Sequence, residues 1–422
     1  MLKPISLATA LLLLIGCDNA PQWEDNADSQ GHTAPTMATV KANEAFLEKR
    51  PFTNTQDFIN ARKGLIAQEP SLVTEHLQQG LVWNMPEYDF INTDGEQPPA
   101  SVNPSLWRQA ALNNIHGLFK VTSGIYQVRG YDLANMTIIE SDNGWIIVDP
   151  LTARETASKA YLFAQEHLGK KPLKAILFTH SHIDHFGGVQ GVIQHLSEDE
   201  KSALQIIAPV GFEEEATSEN IIAGTAMSRR AMYMYGKRLA RNERGHVGTG
   251  LGKGPAFGTF GIEMPTTLIH ETGTQLSIDG VPFVFQTVSG SEAPAEFTFY
   301  LPEHKAFCGA ELVSNNMHNL YTLRGAKVRD ARIWSGFIDE ARTRFAQADV
   351  YFASHHWPLW GKENINEFLI KQRDTYKFIH DQSVRMLNQG FTPNEIAENL
   401  QMPSTLNQDL HNQGYYGTLK HN

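Results

Sequence analysis

Apolar and polar residues alternate so that strands and helices follow one another from about residue 104 onward. The pattern predicts a helix over 104–115, then strands over 118–128, Met136–Glu140 and Trp145–Val148, and a helix over 153–167. A short apolar run over 175–178 predicts one more strand, with a helical pattern over 189–196 after it. Helices interleaved with buried strands indicate an α/β fold.

The second half of the chain repeats this pattern. Strands are predicted at 274–278, 281–288, Phe297–Leu301, 305–308 and Val350–Phe352, with a helix over 328–348. Helices over 364–387 and 393–400 end the chain. Between the halves, 245–261 contains seven glycines, but no strand precedes it and no helix follows, so it predicts a lid or pocket wall rather than a dinucleotide site.

The N-terminus has the pattern of an export signal. Lys3 precedes an apolar run over 5–15 that is too short to span a bilayer comfortably, and Leu14-Ile15-Gly16-Cys17 looks like a bacterial lipobox. We expect 1–16 to be a lipoprotein signal peptide and Cys17 to be lipidated, which predicts a periplasm-facing protein anchored in the bacterial cell envelope. Asp18 favours the inner membrane. The alternative is an ordinary signal peptide followed by an accidental cysteine.

Composition narrows the remaining organisation. Residues 17–42 are mostly polar and predict a tether. The whole chain is 41% hydrophobic, and the part after the tether is long enough to bury a large core. Net charge is −11 without a basic run, which argues against a nucleic-acid partner. Of the two cysteines, Cys308 lies in an apolar run, and lipidation of Cys17 leaves no intrachain disulfide.

Ligand-type side chains cluster directly after the strand predicted at 175–178. The stretch Thr179-His-Ser-His-Ile-Asp-His-Phe-Gly-Gly188 places His180, His182, Asp184 and His185 within six positions, on a turn at the strand's carboxyl end. Imidazole and carboxylate groups suit Zn²⁺ or a similar ion, and a metal-bound water is acidic enough to act as a nucleophile. The alternative is a polar loop that happens to be rich in histidine.

Other ligand-type residues also follow predicted strands. They are Asp149, Glu292, Glu311 and the adjacent pair His355 and His356. Each taken alone is an ordinary loop residue, but together with the first motif they complete two metal-binding groups. Adjacent side chains of an extended segment point in opposite directions, so only one of His355 and His356 faces the site.

The H-x-H-x-D-H pattern resembles the metallo-β-lactamase superfamily. Three later motifs, S-E-A-P-A-E, H-N-L-Y-T-L-R-G and S-H-H-W-P-L-W-G, are similar to those of its alkyl sulfatases, over nearly the whole chain after residue 43. The resemblance implies an αββα sandwich over 43–361 and, over 362–422, the start of an α-helical dimerisation-type domain. In that family a sterol-carrier-like domain, thought to hold the apolar substrate, usually follows.

The resemblance also implies ligands and roles. One Zn²⁺ would be held by His180, His182 and Glu292, and a second by Asp184, His185 and either His356 or His355. Glu311 would bridge the two ions, and Asp184 and Glu311 are the candidate catalytic residues. Asn319 and Arg324 would bind sulfate, while Asp149 would support the metal loop from behind. Alternatively, Asp149 only ends a strand and Arg324 forms a surface ion pair.

The function implied is hydrolysis of alkyl sulfate esters such as dodecyl sulfate by a metal-activated water, in a homodimer. The aromatic and methionine residues of 227–235 and the glycine-rich segment are candidate walls of the pocket for the alkyl tail. Packing in the protein core would explain these apolar residues as well. Two alternatives remain. One is another hydrolase of this fold, acting on a thioester, lactone or phosphoester. The other is a non-catalytic lipoprotein that binds anions.

Overall fold

A computed structural model describes residues 27–49, 52, 54–78, 80–91 and 97–422. The predicted signal peptide over 1–16 and Cys17 lie outside these residues, so the lipid anchor stays a prediction. Within the described ranges, no helix combines the length and the apolar character that a membrane span requires.

The strands belong to two large sheets and one hairpin. In chain order they are β1 (Leu65–Ala67), β2 (Val73–His76), β3 (Gly80–Asn84), β4 (Gly117–Thr122), β5 (Ile125–Arg129), β6 (Met136–Glu140), β7 (Trp145–Val148), β8 (Leu173–Leu177), β9 (Gln205–Pro209), β10 (Thr267–Ile269), β11 (Gln275–Ile278), β12 (Val281–Thr287), β13 (Phe297–Leu301), β14 (Ala306–Cys308), β15 (Val350–Phe352) and β16 (Leu359–Trp360).

Helices cover the outer faces of the sheets and form the C-terminal region. They are α1 (Met37–Lys49), α2 (Gln56–Arg62), α3 (Pro104–Leu112), α4 (Arg154–Leu168), α5 (Val189–Ile193), α6 (Glu198–Ala203), α7 (Phe212–Thr217), α8 (Gly224–Met234), α9 (Ala331–Arg344), α10 (Lys362–Asn388), α11 (Pro393–Asn399) and α12 (Ser404–Asn407). A π-helical turn over Ser218–Ile222 separates α7 from α8.

The first sheet has the order β1-β4-β5-β6-β7-β8-β9-β10, and the second has the order β11-β12-β13-β14-β15-β16. Strands β7 to β10 run parallel to one another, as do β14 and β15. The carboxyl ends of these parallel strands lie along one edge, where open α/β sheets place their chemistry.

Side chains alternate between the two faces of each sheet and so build two kinds of core. On β7, Trp145 and Ile147 belong to the cluster that packs against helices, while Ile146 and Val148 belong to the cluster between the sheets. On the other side, α9 and α10 cover the second sheet. The layers are therefore helix, sheet, sheet and helix, and the predicted αββα sandwich with a helical C-terminal region is confirmed.

The predicted tether over 17–42 differs from the structure from residue 27 onward. The helix α1 begins at Met37, inside the predicted tether. His32 Nδ1 lies 3.3 Å from Asn242 Oδ1, so polar residues before the helix contact a distant loop. This part of the predicted tether has few apolar residues, and side-chain hydrogen bonds connect it to that loop.

The predicted domain boundary at 361 coincides with the start of α10 but not with a break in the core. Ile365 and Phe368 of α10 pack in the same buried cluster as Trp334 and Ile338 of α9. The division of the chain at this residue stays a prediction.

Candidate metal centre and anion site

The loop after β8 lies at the meeting point of the two sheets. His180 pairs with Glu296 as an isolated antiparallel bridge, and the Ser181 amide donates to the Ala295 carbonyl at 3.2 Å. The loop of the first sheet is thereby fixed to the loop that precedes β13 of the second. This brings Glu292 next to the histidine motif although 112 positions separate it from His180 in the sequence.

The first group of candidate ligands comes from three loops. Ligand atoms of His180, His182, Glu292 and Glu311 all lie within 4.8 Å of one another. Glu292 Oε2 is 3.4 Å from His180 Nε2 and 2.9 Å from His182 Nδ1. Glu311 Oε2 is 3.2 Å from His180 Nε2. Ligands that share one tetrahedral ion at about 2.1 Å are separated by about 3.4 Å, so this spacing fits a metal.

The second group consists of Asp184, His185 and His355. Asp184 Oδ2 lies 3.2 Å from His185 Nε2 and 3.5 Å from His355 Nε2. Glu311 Oε2 lies 3.5 Å and 3.4 Å from the same two nitrogens. One oxygen of Glu311 therefore borders both groups, which suits Glu311 to the position shared by the two groups.

The structure places His355 rather than His356 in the cluster, which distinguishes the two alternatives left open by the sequence. His356 has a left-handed backbone, with φ of 63°, and this turns the chain sharply after His355. The His356 ring instead accepts from the Asn315 amide at 3.2 Å through Nδ1. Its Nε2 lies 3.1 Å from Gln109 Nε2 and 3.2 Å from the Gly250 carbonyl.

Hydrogen bonds on the outer side of the histidines orient their rings. His180 Nδ1 lies 2.9 Å from Thr179 Oγ1, and His185 Nδ1 lies 2.9 Å from Asp149 Oδ2. His355 Nδ1 lies 3.1 Å from the Leu133 carbonyl. A ring that donates from Nδ1 presents the lone pair of Nε2 to the cluster, which is the tautomer that binds a cation.

Asp149 supports the metal loop from behind. It is buried, and its carboxylate also accepts from the Thr179 amide and hydroxyl, each at 2.8 Å, and from Ser354 Oγ at 2.7 Å. Burial lowers the pKa of His185, but the carboxylates of Asp184 and Asp149 outweigh it and hold that pKa well above its ordinary value. The contacts favour the supporting role of Asp149 over that of a simple strand end.

Unpartnered buried atoms show that the cluster is suited to a cation. Four histidines that face the cluster through Nε2 have no hydrogen-bond partner at that atom among the described residues, and the same holds for one oxygen each of Glu292 and Glu311; the histidines are His180, His185, His318 and His355. A buried polar atom without a partner is destabilising by about 1–3 kcal/mol. Imidazole and carboxylate donors in this arrangement therefore fit a metal-binding site.

Sequence reasoning assigned no role to His318. Its Nε2 lies 3.1 Å from Glu311 Oε1 and 3.4 Å from Glu292 Oε1, and its Nδ1 faces the Asn319 carbonyl at 3.0 Å. The residue opens the H-N-L-Y-T-L-R-G motif, so the signal for it was present in the sequence. Arg329 was also missed, and its guanidinium donates to Glu292.

Asn319, the other residue predicted to bind sulfate, lies against Arg329, and its role in binding sulfate stays a prediction. Its amide oxygen accepts from Arg329 Nη1 at 2.5 Å, and the backbone of Gly417 packs against it. It is buried and is not among the described residues that line the cavity beside the metal ligands. The amide nitrogen nevertheless finds no hydrogen-bond partner within the described part of the chain.

Arg324 does line that cavity. Its Nη1 lies 3.3 Å from Glu219 Oε2, a carboxylate that sequence reasoning did not identify. Burial lowers the pKa of Arg324, but neighbouring groups led by Tyr235 and Glu219 raise it by more. The pKa is therefore above its ordinary value, and the guanidinium stays charged. The ion pair lies in the cavity wall rather than on the open surface.

The cavity has a volume of about 190 Å³ and two chemically different walls. The polar wall contains His182, Asp184, Glu292, Glu311, His318 and Arg324. The apolar wall contains Met227, Tyr235, Leu251, Phe257, Phe260 and Tyr416.

Tyr416 belongs to the C-terminal segment, which the sequence motifs did not connect with the site. Its hydroxyl lies 2.7 Å from that of Tyr235, and its backbone pairs with His318 as an isolated bridge. The C-terminal segment therefore contributes directly to the cavity wall.

Comparison with known families identifies the fold. Residues 129–355, more than half of the chain, match the model of the metallo-beta-lactamase superfamily. The chain belongs to this superfamily. Residues 392–422 of the same chain match the model of the alkyl sulfatase dimerisation domain, which confirms the resemblance to alkyl sulfatases.

Two curated relatives of this chain are named as sulfatases. It is 48% identical over 389 residues to an alkyl/aryl-sulfatase of Saccharomyces cerevisiae, covering 91% of this chain and 59% of that protein. It is 46% identical over 388 residues to a linear primary-alkylsulfatase of Pseudomonas sp, covering 92% of this chain and 57% of the relative. The chain thus spans about three fifths of the length of these curated relatives.

A solved structure matches the same fold. A stereoselective inverting sec-alkylsulfatase from Pseudomonas sp. superposes with a TM-score of 0.88 at 39% identity, covering 93% of this chain and 62% of that one. The metallo-β-lactamase-type sandwich and its helical C-terminal region are therefore shared with that enzyme.

Proposed function

We propose that this chain is the core of a binuclear zinc alkyl sulfatase, which hydrolyses alkyl sulfate esters such as dodecyl sulfate to an alcohol and inorganic sulfate. The observation that carries the proposal is the position of Arg324 in the same small cavity as the buried histidine and carboxylate cluster. The names of the relatives, all alkylsulfatases, support this substrate class.

The candidate ligands divide into two sets that share Glu311. His180, His182 and Glu292 would hold one ion, and Asp184, His185 and His355 would hold the other. When bound, the two zinc ions would supply Lewis acidity and lower the pKa of a water so that it attacks the ester. Asp184 and Glu311 would orient that water, since both border the cavity and lie close to the ligand nitrogens of His185 and His355.

The polar wall recognises the sulfate group. A guanidinium presents a planar fork of donors that matches the oxygens of a tetrahedral oxyanion. One nitrogen of Arg324 bonds Glu219, and the other donors of the fork remain for the substrate. The positive charge of Arg324 also stabilises the sulfate anion as it leaves.

The apolar wall holds the alkyl tail and keeps bulk water away from the ester. Tyr235, Phe257 and Phe260 of this wall also line an adjoining groove of about 520 Å³. The groove extends the apolar surface beyond the small cavity, so a chain of several methylene groups continues into it. This agrees with the expectation that 227–235 and the glycine-rich segment form the walls.

A panel of substrates with matched alkyl chains tests the proposal against other hydrolases of this fold. We expect the zinc-loaded protein to release sulfate from dodecyl sulfate faster than it cleaves a dodecanoyl thioester, a long-chain lactone or dodecyl phosphate. Preferred cleavage of any of these three would contradict the sulfatase assignment. Absence of turnover on all four, with the metal bound, would favour the non-catalytic alternative.

Two further parts of the proposal concern assembly and location. The match of 392–422 to a dimerisation model supports a homodimer, which sedimentation velocity measures directly. Lipidation of Cys17 predicts that the full-length protein fractionates with bacterial membranes and that Cys17→Ser releases it. A wild-type protein recovered in the soluble fraction would contradict the anchor.

A further inference from the structure

Glu219 is a buried carboxylate in the cavity that the proposed mechanism does not yet use. It lies in the π-helical turn over Ser218–Ile222, and its residue surface is 6% exposed. Its Oε1 has no hydrogen-bond partner among the described residues. The wider π-helical turn is a local irregularity that often marks functional positions in helices.

The other oxygen of Glu219 lies between the two halves of the polar wall. Oε2 is 3.3 Å from Arg324 Nη1 on one side and 3.7 Å from His182 Nε2 on the other. His182 faces Glu292 with Nδ1, so Glu219 approaches the ring from its opposite nitrogen. At 3.7 Å the contact with His182 is longer than a hydrogen bond, so Glu219 is hydrogen-bonded to Arg324 and neighbours the ring of His182 only through charge.

A carboxylate in an anion-binding cavity needs a physical reason, because its charge repels the substrate. The Arg324 guanidinium, whose Nη1 lies 3.3 Å from Glu219 Oε2, is placed to match that charge. The geometry, rather than the charge, is what Glu219 adds: it limits the orientations that the long Arg324 side chain adopts.

The backbone of Arg324 is held separately. Arg230 Nε, from α8, donates to the Arg324 carbonyl at 2.9 Å, while Met227 Sδ lies 3.5 Å from Nη1. Anchored at the backbone and at one guanidinium nitrogen, the side chain directs its remaining donors into the cavity. Loss of Glu219 removes the polar anchor at the guanidinium end.

We infer that Glu219 is a positioning residue that holds the anion-binding Arg324 in a fixed relation to the metal-binding His182. The inference rests on the proposed function, since it assigns Arg324 to sulfate and His182 to a metal. It predicts that the removal of Glu219 weakens binding of the sulfate group and of zinc together, although Glu219 touches neither substrate nor metal.

The chain offers a matched control one turn earlier. Glu215, in α7, pairs with Lys327 at 2.5 Å and so joins the same helical region to the same loop as Glu219 and Arg324 do. Glu215 does not line the cavity. A purely structural effect of linking helix and loop would appear in Glu215→Ala as well.

The experiment compares Glu219→Ala, Glu219→Gln and Glu215→Ala by three measurements on the full chain. These are KM and kcat for dodecyl sulfate, the Kd of inorganic sulfate for the zinc-loaded protein by calorimetry, and the Kd of zinc in competition with a chromophoric chelator. The sulfate and zinc constants do not depend on turnover.

We expect Glu219→Ala to raise KM and the sulfate Kd each about tenfold, because Arg324 loses a charged hydrogen-bond partner, and to raise the zinc Kd by less, because the contact with His182 is longer than a hydrogen bond. The kcat should fall less than KM rises. Because glutamine still offers Arg324 an acceptor oxygen, Glu219→Gln should keep the sulfate Kd within about threefold of wild type. Glu215→Ala should leave all three constants unchanged.

Unchanged sulfate and zinc constants in Glu219→Ala would overturn the inference, as would an equal loss in Glu215→Ala. If the wild type binds zinc and sulfate but does not cleave dodecyl sulfate, the proposed function fails, and the sulfate and zinc constants of the variants alone decide the role of Glu219. A wild type that binds neither would contradict both.

Discussion

The metal-binding cluster and the anion-binding wall of the cavity are built in different ways. On the metal side, His180, Glu311 and His355 follow directly after β8, β14 and β15 and are buried. On the anion side, Arg324 and Glu219 lie in a loop and a π-helical turn, outside both sheets. Strand ends are fixed by the register of the sheets, whereas the anion side depends on segments that meet only in the folded chain.

This difference predicts different responses to substitution. A ligand at a strand end has no neighbour to replace it, so its loss should abolish the site. On the anion side, loss of Arg324 or Glu219 leaves the metal-binding residues in place, so it should give a graded effect.

The largest effect is expected from His180→Ala, on the metal side. The change removes a nitrogen that borders both Glu292 and Glu311, so we expect zinc content to fall and sulfate release to drop below detection. Metal analysis by mass spectrometry and a sulfate assay measure the two effects. His195→Ala is the control, because His195 bonds Ser158 away from the cavity. Full zinc content in His180→Ala would break the comparison.

Arg324→Ala should give the next largest effect, on the anion side. We expect kcat/KM for dodecyl sulfate to fall about 10²–10³-fold, as for loss of a donor to a developing anion. Zinc content should stay at the wild-type level. Arg324→Lys should recover only part of the activity, because an ammonium group lacks the planar fork.

A surface arginine provides the control for that variant. Arg342 pairs with Asp339 on α9, and Arg342→Ala should retain wild-type kinetics. An Arg324→Ala enzyme with full activity would instead favour a thioester, lactone or phosphoester as the substrate.

Asp149→Asn tests the support behind the metal side. The amide keeps the shape but is a poorer acceptor for His185 Nδ1, Thr179 and Ser354. We expect zinc affinity to fall about 10–100-fold, as for other second partners of metal-binding histidines. Chelator competition measures the change. Wild-type affinity would mean that Asp149 only ends its strand.

The smallest effect concerns the segment that brings Tyr416 to the cavity. His411 Nε2 lies 3.0 Å from Asp57 Oδ1, and Asp57 also pairs with Arg108 at 2.8 Å. Burial lowers the pKa of His411, but the Asp57 carboxylate raises that pKa by more, so the pKa lies above its ordinary value. Burial raises the pKa of Asp57, but His411 and Arg108 lower it by more.

The signs of these shifts fix the pH range of the stabilisation. The raised pKa of His411 contributes fully below the ordinary histidine value of about 6.5 and is lost as pH rises through the folded pKa. The lowered pKa of Asp57 contributes above about 3.9 and is lost as pH falls. We therefore expect His411→Gln to lower the melting temperature most near pH 5–6, with a smaller difference at alkaline pH.

His380→Gln is the control for this pH dependence. His380 forms a half-exposed pair with Asp381 on α10, away from the C-terminal segment. Its substitution should change the melting temperature little at any pH. A pH-independent difference for His411→Gln would show that the contact acts through packing rather than charge.

The same contrast explains how much the sequence revealed. The spacing of His180, His182, Asp184 and His185 after one strand is a local pattern, so the sequence sufficed to group them. The choice between the adjacent His355 and His356 was not readable, because it depends on a left-handed residue.

The anion side was harder to predict. Glu219 approaches Arg324 across 105 positions, and Tyr416 reaches Tyr235 across 181. Neither pair leaves a spacing signal in the sequence. Asn319 belongs to a recognisable motif, but its orientation follows from Arg329 and Gly417, which act through tertiary contacts.

Zinc titration of the metal-free protein, with sulfate release from dodecyl sulfate followed in the same samples, tests the central claim most directly. The account predicts that about two ions bind per chain and that sulfate release rises with their binding, because the ligands form two groups that share Glu311. A protein that binds no zinc, or that binds it and releases no sulfate, would contradict the account.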